Sequence, residues 1–278
     1  MKFVEPKVWE YKQEKTEDGV YKAIRDAAAI CYQTDTDKMV KTPREFMNML
    51  LEKGHGRPLE FGTVYLVVRD CKEHQGIVER YGSDPWSRVN YFDGYFYITT
   101  NMRVVMRGSY FSDFEAYHNG YEYSYIDDLE FECEPLVHHS KRRTFCIWAS
   151  RGCTDDLRTH TSLSSICEST RFCNYNKDKF NSELTFIEPY WGLEEGMEEL
   201  FSSIEDTYRE YARRGYEPQQ LKRILPLDIK AELRLCGYDD AWRNFFWRRC
   251  DKHADPECIR IAESIREIYD SNDHEDKR

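Results

Sequence analysis

Residues 155–175 read DDLRTHTSLSSICESTRFCNY, and the fold turns on how this stretch is understood. Six hydroxyl side chains fall between Thr159 and Ser169, followed at once by Thr170 and Arg171. Hydroxyls, backbone amides and a guanidinium on one loop are the parts from which a phosphate site is made. A Ser/Thr-rich loop is ordinarily only a loop, so a second anion-seeking feature has to stand elsewhere. One lies near the C-terminus. A helix with Asp239 as its N-cap would place Trp242, Phe245 and Phe246 on one apolar stripe. Arg249 falls within that stripe, and His253 joins it if the helix continues. Taking a guanidinium out of water is costly unless an anion meets it, so Arg249 implies either an internal carboxylate or a bound anion.

Outward from these two stretches the chain reads as mixed α and β elements without a clean βαβ alternation, hence an α+β fold. A helix is expected over residues 20–31. A second, over 42–53, has Thr42 as N-cap, Pro43 in its first turn, Glu45 completing a capping box and Gly54 as its stop. Its apolar stripe is Phe46, Met49 and Leu50, with Lys53 at the polar end. Residues 63–69 and 143–149 read as strands. Residues 71–94 are polar and turn-rich; 95–100 and 102–107 read as two strands joined at Asn101 in a hairpin. Residues 108–140 read as irregular, and a helix follows within 192–214, stopped by Gly215. One domain is expected over 1–269, with 71–140 as an elaboration and 270–278 as a flexible polar tail.

Composition narrows the function. In 278 residues there are 40 Lys+Arg against 51 Asp+Glu, a formal charge of −11, and 15% aromatics, which suits a folded protein and disfavours a nucleic-acid coat. No 18-residue uncharged apolar run and no apolar leader is present, so neither a membrane span nor a secretory signal is expected. The ten cysteines contain no Cys-x-x-Cys pair and read as reduced thiols of a cytoplasmic protein. Cys250, His253 and Cys258 approach a metal pattern but lack a fourth ligand, and core packing is the expected role. Lys222-Arg223 before Leu225-Pro226 forms a basic cluster; Lys141-Arg142-Arg143 reads as a solvated strand end. There is no dinucleotide fingerprint, Walker loop or nucleophile elbow.

Several motifs then agree in order and spacing. Glu168-Ser169-Thr170-Arg171-Phe172, Gly54-His55 with Pro58-Leu59-Glu60, Thr99-Thr100-Asn101-Met102-Arg103, Leu225-Pro226 and Asn244-Phe245-Phe246 with Arg249 through Ala254 resemble the flavin-dependent thymidylate synthases. The resemblance implies that family's α+β fold, a central, mostly antiparallel sheet flanked by helices. It implies a homotetramer with active sites between subunits, FAD as cofactor, and NADPH and methylenetetrahydrofolate as co-substrates for methylating dUMP at C5. Carried over by position, Ser169 and Arg171 hold the nucleotide phosphate with Glu168, Thr170 and Lys222 beside it. Arg249 faces the pyrimidine and favours its N3-deprotonated form, with Asp156 nearby. His55, Arg57, Glu60, His160 and Asn244 line the flavin. Arg249 and Ser169 are the catalytic candidates, and no metal is implied.

The family pattern departs at one place that matters. Where it has Arg-His-Arg, this chain has Thr159-His160-Thr161. Each lost charge-assisted contact is worth about 1.5–3 kcal/mol, so flavin binding would weaken by roughly 10²–10⁴-fold without replacement. Arg158, displaced by one residue, and Arg57, which stands where the family often has Thr or Ser, are the candidate replacements, and all five cations, Arg57, Arg158, Arg171, Lys222 and Arg249, are expected at one pocket. Phe61 replaces the second His of the flavin loop and Lys222 a family Arg, which keeps charge but loses the planar fork. Two alternatives follow: a nucleotide-binding homologue that has lost flavin and catalysis, or a flavoenzyme with altered one-carbon chemistry such as hydroxymethylation.

Overall fold

The computed structural model describes residues 1–117 and 138–275, with side chains to Ser271. In chain order the elements are β1 (Lys2–Val4), β2 (Lys7–Tyr11), α1 (Glu17–Ile30), α2 (Pro43–Glu52), β3 (Thr63–Arg69), α3 (Gln75–Gly82), β4 (Arg88–Phe92), β5 (Tyr95–Asn101), α4 (Met102–Arg107) and α5 (Phe111–Tyr117). After the undescribed segment come β6 (Arg142–Ser150), α6 (Arg151–Leu157), β7 (Ser164–Cys167), β8 (Thr185–Ile187), α7 (Met197–Arg213), α8 (Pro218–Leu221), β9 (Lys230–Tyr238), α9 (Asp239–Arg249) and α10 (Pro256–Glu275). Among the described residues no helix is long and apolar enough to cross a membrane.

The fold is α+β, with antiparallel sheets flanked by helices rather than one central sheet. A four-stranded antiparallel sheet runs β2-β6-β9-β7, a three-stranded one runs β3-β5-β4, and β1 pairs with β8 in parallel. On one face of the larger sheet Phe145, Ile147, Leu233 and Leu235 pack against Trp242, Phe245, Ile261 and Ile265 of α9 and α10. The smaller sheet shares a second core with α1, α2 and α4, through Val20, Ile24, Leu50, Leu66, Ile98 and Met102. A third core joins α7 and β8 around Phe186, Phe201 and Tyr208.

The helix over 42–53 forms as α2 with its capping box intact, Thr42 Oγ1 accepting from Glu45 N and Glu45 returning the bond. Its buried face is Met47 and Leu50, whereas Phe46 and Met49 are only partly covered, because α1 lies against it one position away from the expected stripe. The hairpin expected at Asn101 is not there. Met102–Arg107 is helical, with Asn101 Oδ1 capping it by accepting from Val104 N at 3.2 Å. Its β-branched valines favour a strand locally, but Met102, Val104 and Val105 all bury on one helical face. The true hairpin is β4–β5, turned by Asp93 and Gly94 at φ 46° and 82° with Phe92 opposite Tyr95.

Residues 71–94 therefore hold a helix and a strand as well as turns, and 108–140 begins with α5; residues 118–137 of that stretch, Cys133 included, lie outside the described residues. Helix α10 runs on to Glu275, past the expected start of the tail at Asp270, since its buried face reaches Tyr269. Residues 276–278 lie outside the described residues. The α9 N-cap is Tyr238, not Asp239, whose carboxylate accepts from Tyr269 Oη at 2.6 Å. Asn101→Ala should destabilise the protein by about 1 kcal/mol, the usual worth of an N-cap. Urea denaturation checks this; an unchanged midpoint would mean that α4 does not depend on its cap.

Candidate functional site

The site is built on β7 and its neighbour β9. Their antiparallel register pairs Ser164 with Cys236 and Cys167 with Leu233. The turn 158–163 that enters β7 is thereby laid beside α9, which leaves β9. Ser150 caps α6 by accepting from Cys153 N at 3.1 Å, and the helix closes into a turn in which Thr159 Oγ1 donates to Asp156 O at 2.8 Å.

Arg249 reaches into this turn from the last residue of α9. Its Nε donates to His160 Nε2 at 2.9 Å, and its Nη2 donates to Asp156 O at 2.6 Å and to Thr159 Oγ1 at 2.8 Å. His160 is buried, its ring 5.0 Å from that of Phe245. Burial, and then the charges of Arg249 and Arg248, pull its pKa down to about 4. At neutral pH the imidazole is therefore uncharged, Nδ1 carries its proton, and the Nε2 lone pair is free to accept from the guanidinium. The sequence expectation is corrected here. Arg249 is half-buried, and these three acceptors are neutral: neither an internal carboxylate nor full burial accounts for it. Nη1 takes none of these three bonds.

The groove around this cage is a cavity of about 600 Å³, lined by Thr159, His160, Thr161, Asn244, Trp247 and Arg248 among others. Trp247 is 73% exposed, and Arg248 lies 5.3 Å over its ring and donates to Asn244 Oδ1 at 3.4 Å. Neither was singled out from sequence, although a Trp-Arg-Arg run closing a helix was available as a signal. His253 lies beyond the end of α9 and pairs with Asp251, so it is not on the apolar stripe. Of the three residues in the metal-like pattern, Cys258 is buried with its Sγ 3.2 Å from that of Cys153.

At the other end of β7 the hydroxyl-rich stretch behaves differently. Glu168 is 1% exposed and faces inward. It accepts from Tyr175 Oη at 2.8 Å, Lys230 Nζ at 3.1 Å and Glu232 N at 3.1 Å, so in this chain its carboxylate is engaged with the interior. Ser169 O receives Phe172 N and Cys173 N in a tight turn that turns Arg171 outward. Arg171 joins Lys222 and Arg223 at a cavity of about 990 Å³, with Tyr211 and Tyr216 on its wall. Ser169 and Thr170 are half-buried and do not line it.

The two cavities share no lining residue. The expectation that five cations meet at one pocket therefore fails within one chain. Four residues of extended strand, about 13 Å, separate the turn holding Arg249 from the turn holding Arg171. Arg57 and Arg103 both pair with the buried carboxylate of Glu60, while His55 is exposed nearby. Arg158 pairs with Asp155 at 3.1 Å. Neither Arg57 nor Arg158 lines the cavity at Thr159 and Thr161; the cation that does so beside Arg249 is Arg248.

Residues 135–271, from just before β6 into α10, match the family described as thymidylate synthase complementing protein. No curated protein matches the chain.

The His160 geometry carries a stability consequence. The native imidazole resists protonation down to about pH 4, whereas in the unfolded chain it takes a proton near pH 6.5. The unfolded state thus binds more protons between these values, and stability falls as pH drops through that window. Urea midpoints measured from pH 4 to 7 should show this loss, with a shallower slope in His160→Gln, which keeps an acceptor for Arg249. Equal slopes in the two proteins would remove His160 from the account.

Proposed function

We propose that the protein is an enzyme of the flavin-dependent thymidylate synthase type, methylating dUMP at C5 with methylenetetrahydrofolate as one-carbon donor and NADPH as reductant. A thymidylate synthase-like function is what the family match supports. The single observation carrying the finer reading is the Arg249 cage, in which a neutral His160 and Thr159 fix a guanidinium while leaving Nη1 for a ligand. A cation held in this way favours a ring that carries negative charge, as uracil does once N3 loses its proton. Arg171 and Lys222, in the second cavity, supply the charge-assisted donors that a nucleotide phosphate requires.

The donor set at the first cavity also fits a flavin nucleotide. Arg248 brings a guanidinium to the space that the threonines at 159 and 161 leave uncharged, Thr161 a hydroxyl, Asn244 an amide and Trp247 an aromatic face. FAD, when bound, would supply the reducing equivalents taken from NADPH. His160 holds Arg249 without adding a second positive charge, and the guanidinium in turn shields the ligand ring from bulk water. Because the phosphate-type and ring-type cavities have no residue in common within one chain, the reading includes a homotetramer in which one subunit's Arg171 and Lys222 complete another's Arg249 site.

A specific observation favours a second reading. Thr159 is spent on Arg249 and Asp156, so the turn has been rebuilt around the protein's own arginine, as a nucleotide-binding homologue without flavin would allow. Flavin absorbance during titration with FAD separates the two, and tritium release from C5-labelled dUMP with NADPH and methylenetetrahydrofolate tests the reaction. Arg249→Ala should weaken dUMP binding about 10- to 150-fold, one charge-assisted contact of about 1.5–3 kcal/mol. Unchanged dUMP affinity in that variant would refute the assignment of Arg249. Nucleotide binding without any flavin response would select the second reading.

A further inference from the structure

A third cavity, of about 760 Å³, opens between the C-terminal end of α1, the segment that follows it, and β9. It shares no lining residue with the other two. Six charged side chains line it, three of each sign: Asp26, Asp35 and Glu232 against Lys38, Lys179 and Arg234. Most are already committed. Asp26 accepts from Arg25 at 2.8 Å and from Tyr11 Oη at 3.0 Å, Asp35 pairs with Lys38 at 2.9 Å, and Lys179 donates to Tyr32 O at 2.6 Å.

Two are not neutralised in this way. Arg234 is 6% exposed, its guanidinium 4.3 Å over the Tyr11 ring, and among the described residues its buried Nε and Nη1 have no hydrogen-bond partner. The neighbouring Cys146 thiol, which burial pushes up to about 11 against the pull of Arg234, stays protonated at neutral pH and brings no charge to it. A buried guanidinium with unmade bonds costs stability that a ligand can recover. Glu232 receives a neutral donor, Gln33 Nε2 at 3.0 Å, rather than a cation. It stands two residues before Arg234 on the same face of β9, so their backbones are about 6.6 Å apart.

A simple anion would satisfy Arg234 but would meet three carboxylates on the same walls. A ligand with an anionic and a cationic group about 3 Å apart matches the lining at both ends, by charge complementarity. We propose that this cavity binds a small zwitterion of the α-amino-acid class, its carboxylate on Arg234 and its ammonium on Glu232. The site is separate from the nucleotide cavities and does not depend on how they are used.

Calorimetric titration with the common L-amino acids and glycine, one at a time, tests this, with acetate, ethylammonium and inorganic phosphate as comparators. At least one amino acid should bind and raise the melting temperature, while the comparators do neither. Arg234→Met and Glu232→Gln should each weaken that binding tenfold or more and leave dUMP affinity unchanged. If Arg234→Met fails to fold, the near-isosteric Glu232→Gln carries the comparison. The proposal is overturned if no amino acid binds, if acetate or phosphate binds equally well, or if binding survives in Glu232→Gln.

Discussion

The carboxylate of Glu168 is the point on which the arrangement of the two cavities at the ends of β7 depends. Removed from water, it is stable only because three donors meet it: the Tyr175 hydroxyl, the Lys230 ammonium and the backbone N–H of Glu232. Those donors come from the segment after β7 and from β9, so the clasp fixes where β7 stops and how it registers on its neighbour. A second bond, Glu168 N to Glu232 O at 2.8 Å, completes the pairing in both directions. Slipping by one residue would turn every side chain of β7 to the opposite face and leave the carboxylate buried without partners. With the register held, the turn before β7 meets α9 and the turn after it presents Arg171.

Charge is distributed by the same logic. The molecule is acidic overall, and many of its cations, Arg80, Arg143 and Arg158 among them, pair with carboxylates. Arg249 is kept in place by neutral acceptors rather than by an ion pair. Had an Asp or Glu held it, the guanidinium would have been neutralised before any ligand arrived. The uncharged imidazole of His160 satisfies geometry without cancelling charge, and its own desolvation keeps it uncharged. The opposite solution operates at Glu60, where Arg57 and Arg103 are consumed by one buried carboxylate. Those two arginines stabilise a turn and are not available to an anion.

Much of this was legible in residue order. Thr42, Pro43 and Glu45 announce α2 because capping chemistry is local, and Gly215, at φ 87°, ends α7 for the same reason. Local rules failed where tertiary packing decides. The adjacent valines of α4 favour a strand locally but bury on one helical face against β3 and β5, and the real hairpin is made by Asp93-Gly94 with its positive φ values. Among site residues, Arg249 was recognisable from its place on an apolar stripe. The acceptors that hold it were not, since they lie some ninety residues away in sequence. Glu168 stands beside Ser169 and Arg171 in the sequence, and only the fold shows that its carboxylate turns inward.

Thr159 and Thr161 bring no charge to the turn before β7. Thr159 offers Arg249 an oxygen and donates its own hydroxyl hydrogen bond to Asp156 O. The cation beside Arg249 at the cavity wall is Arg248, on the helix rather than on the turn. There its guanidinium lies 5.3 Å over the Trp247 ring and the side chain is exposed. Arg249 is tied to the turn by three hydrogen bonds, whereas Arg248 bonds Asn244 on its own helix, so the turn positions Arg249 directly and leaves Arg248 to α9.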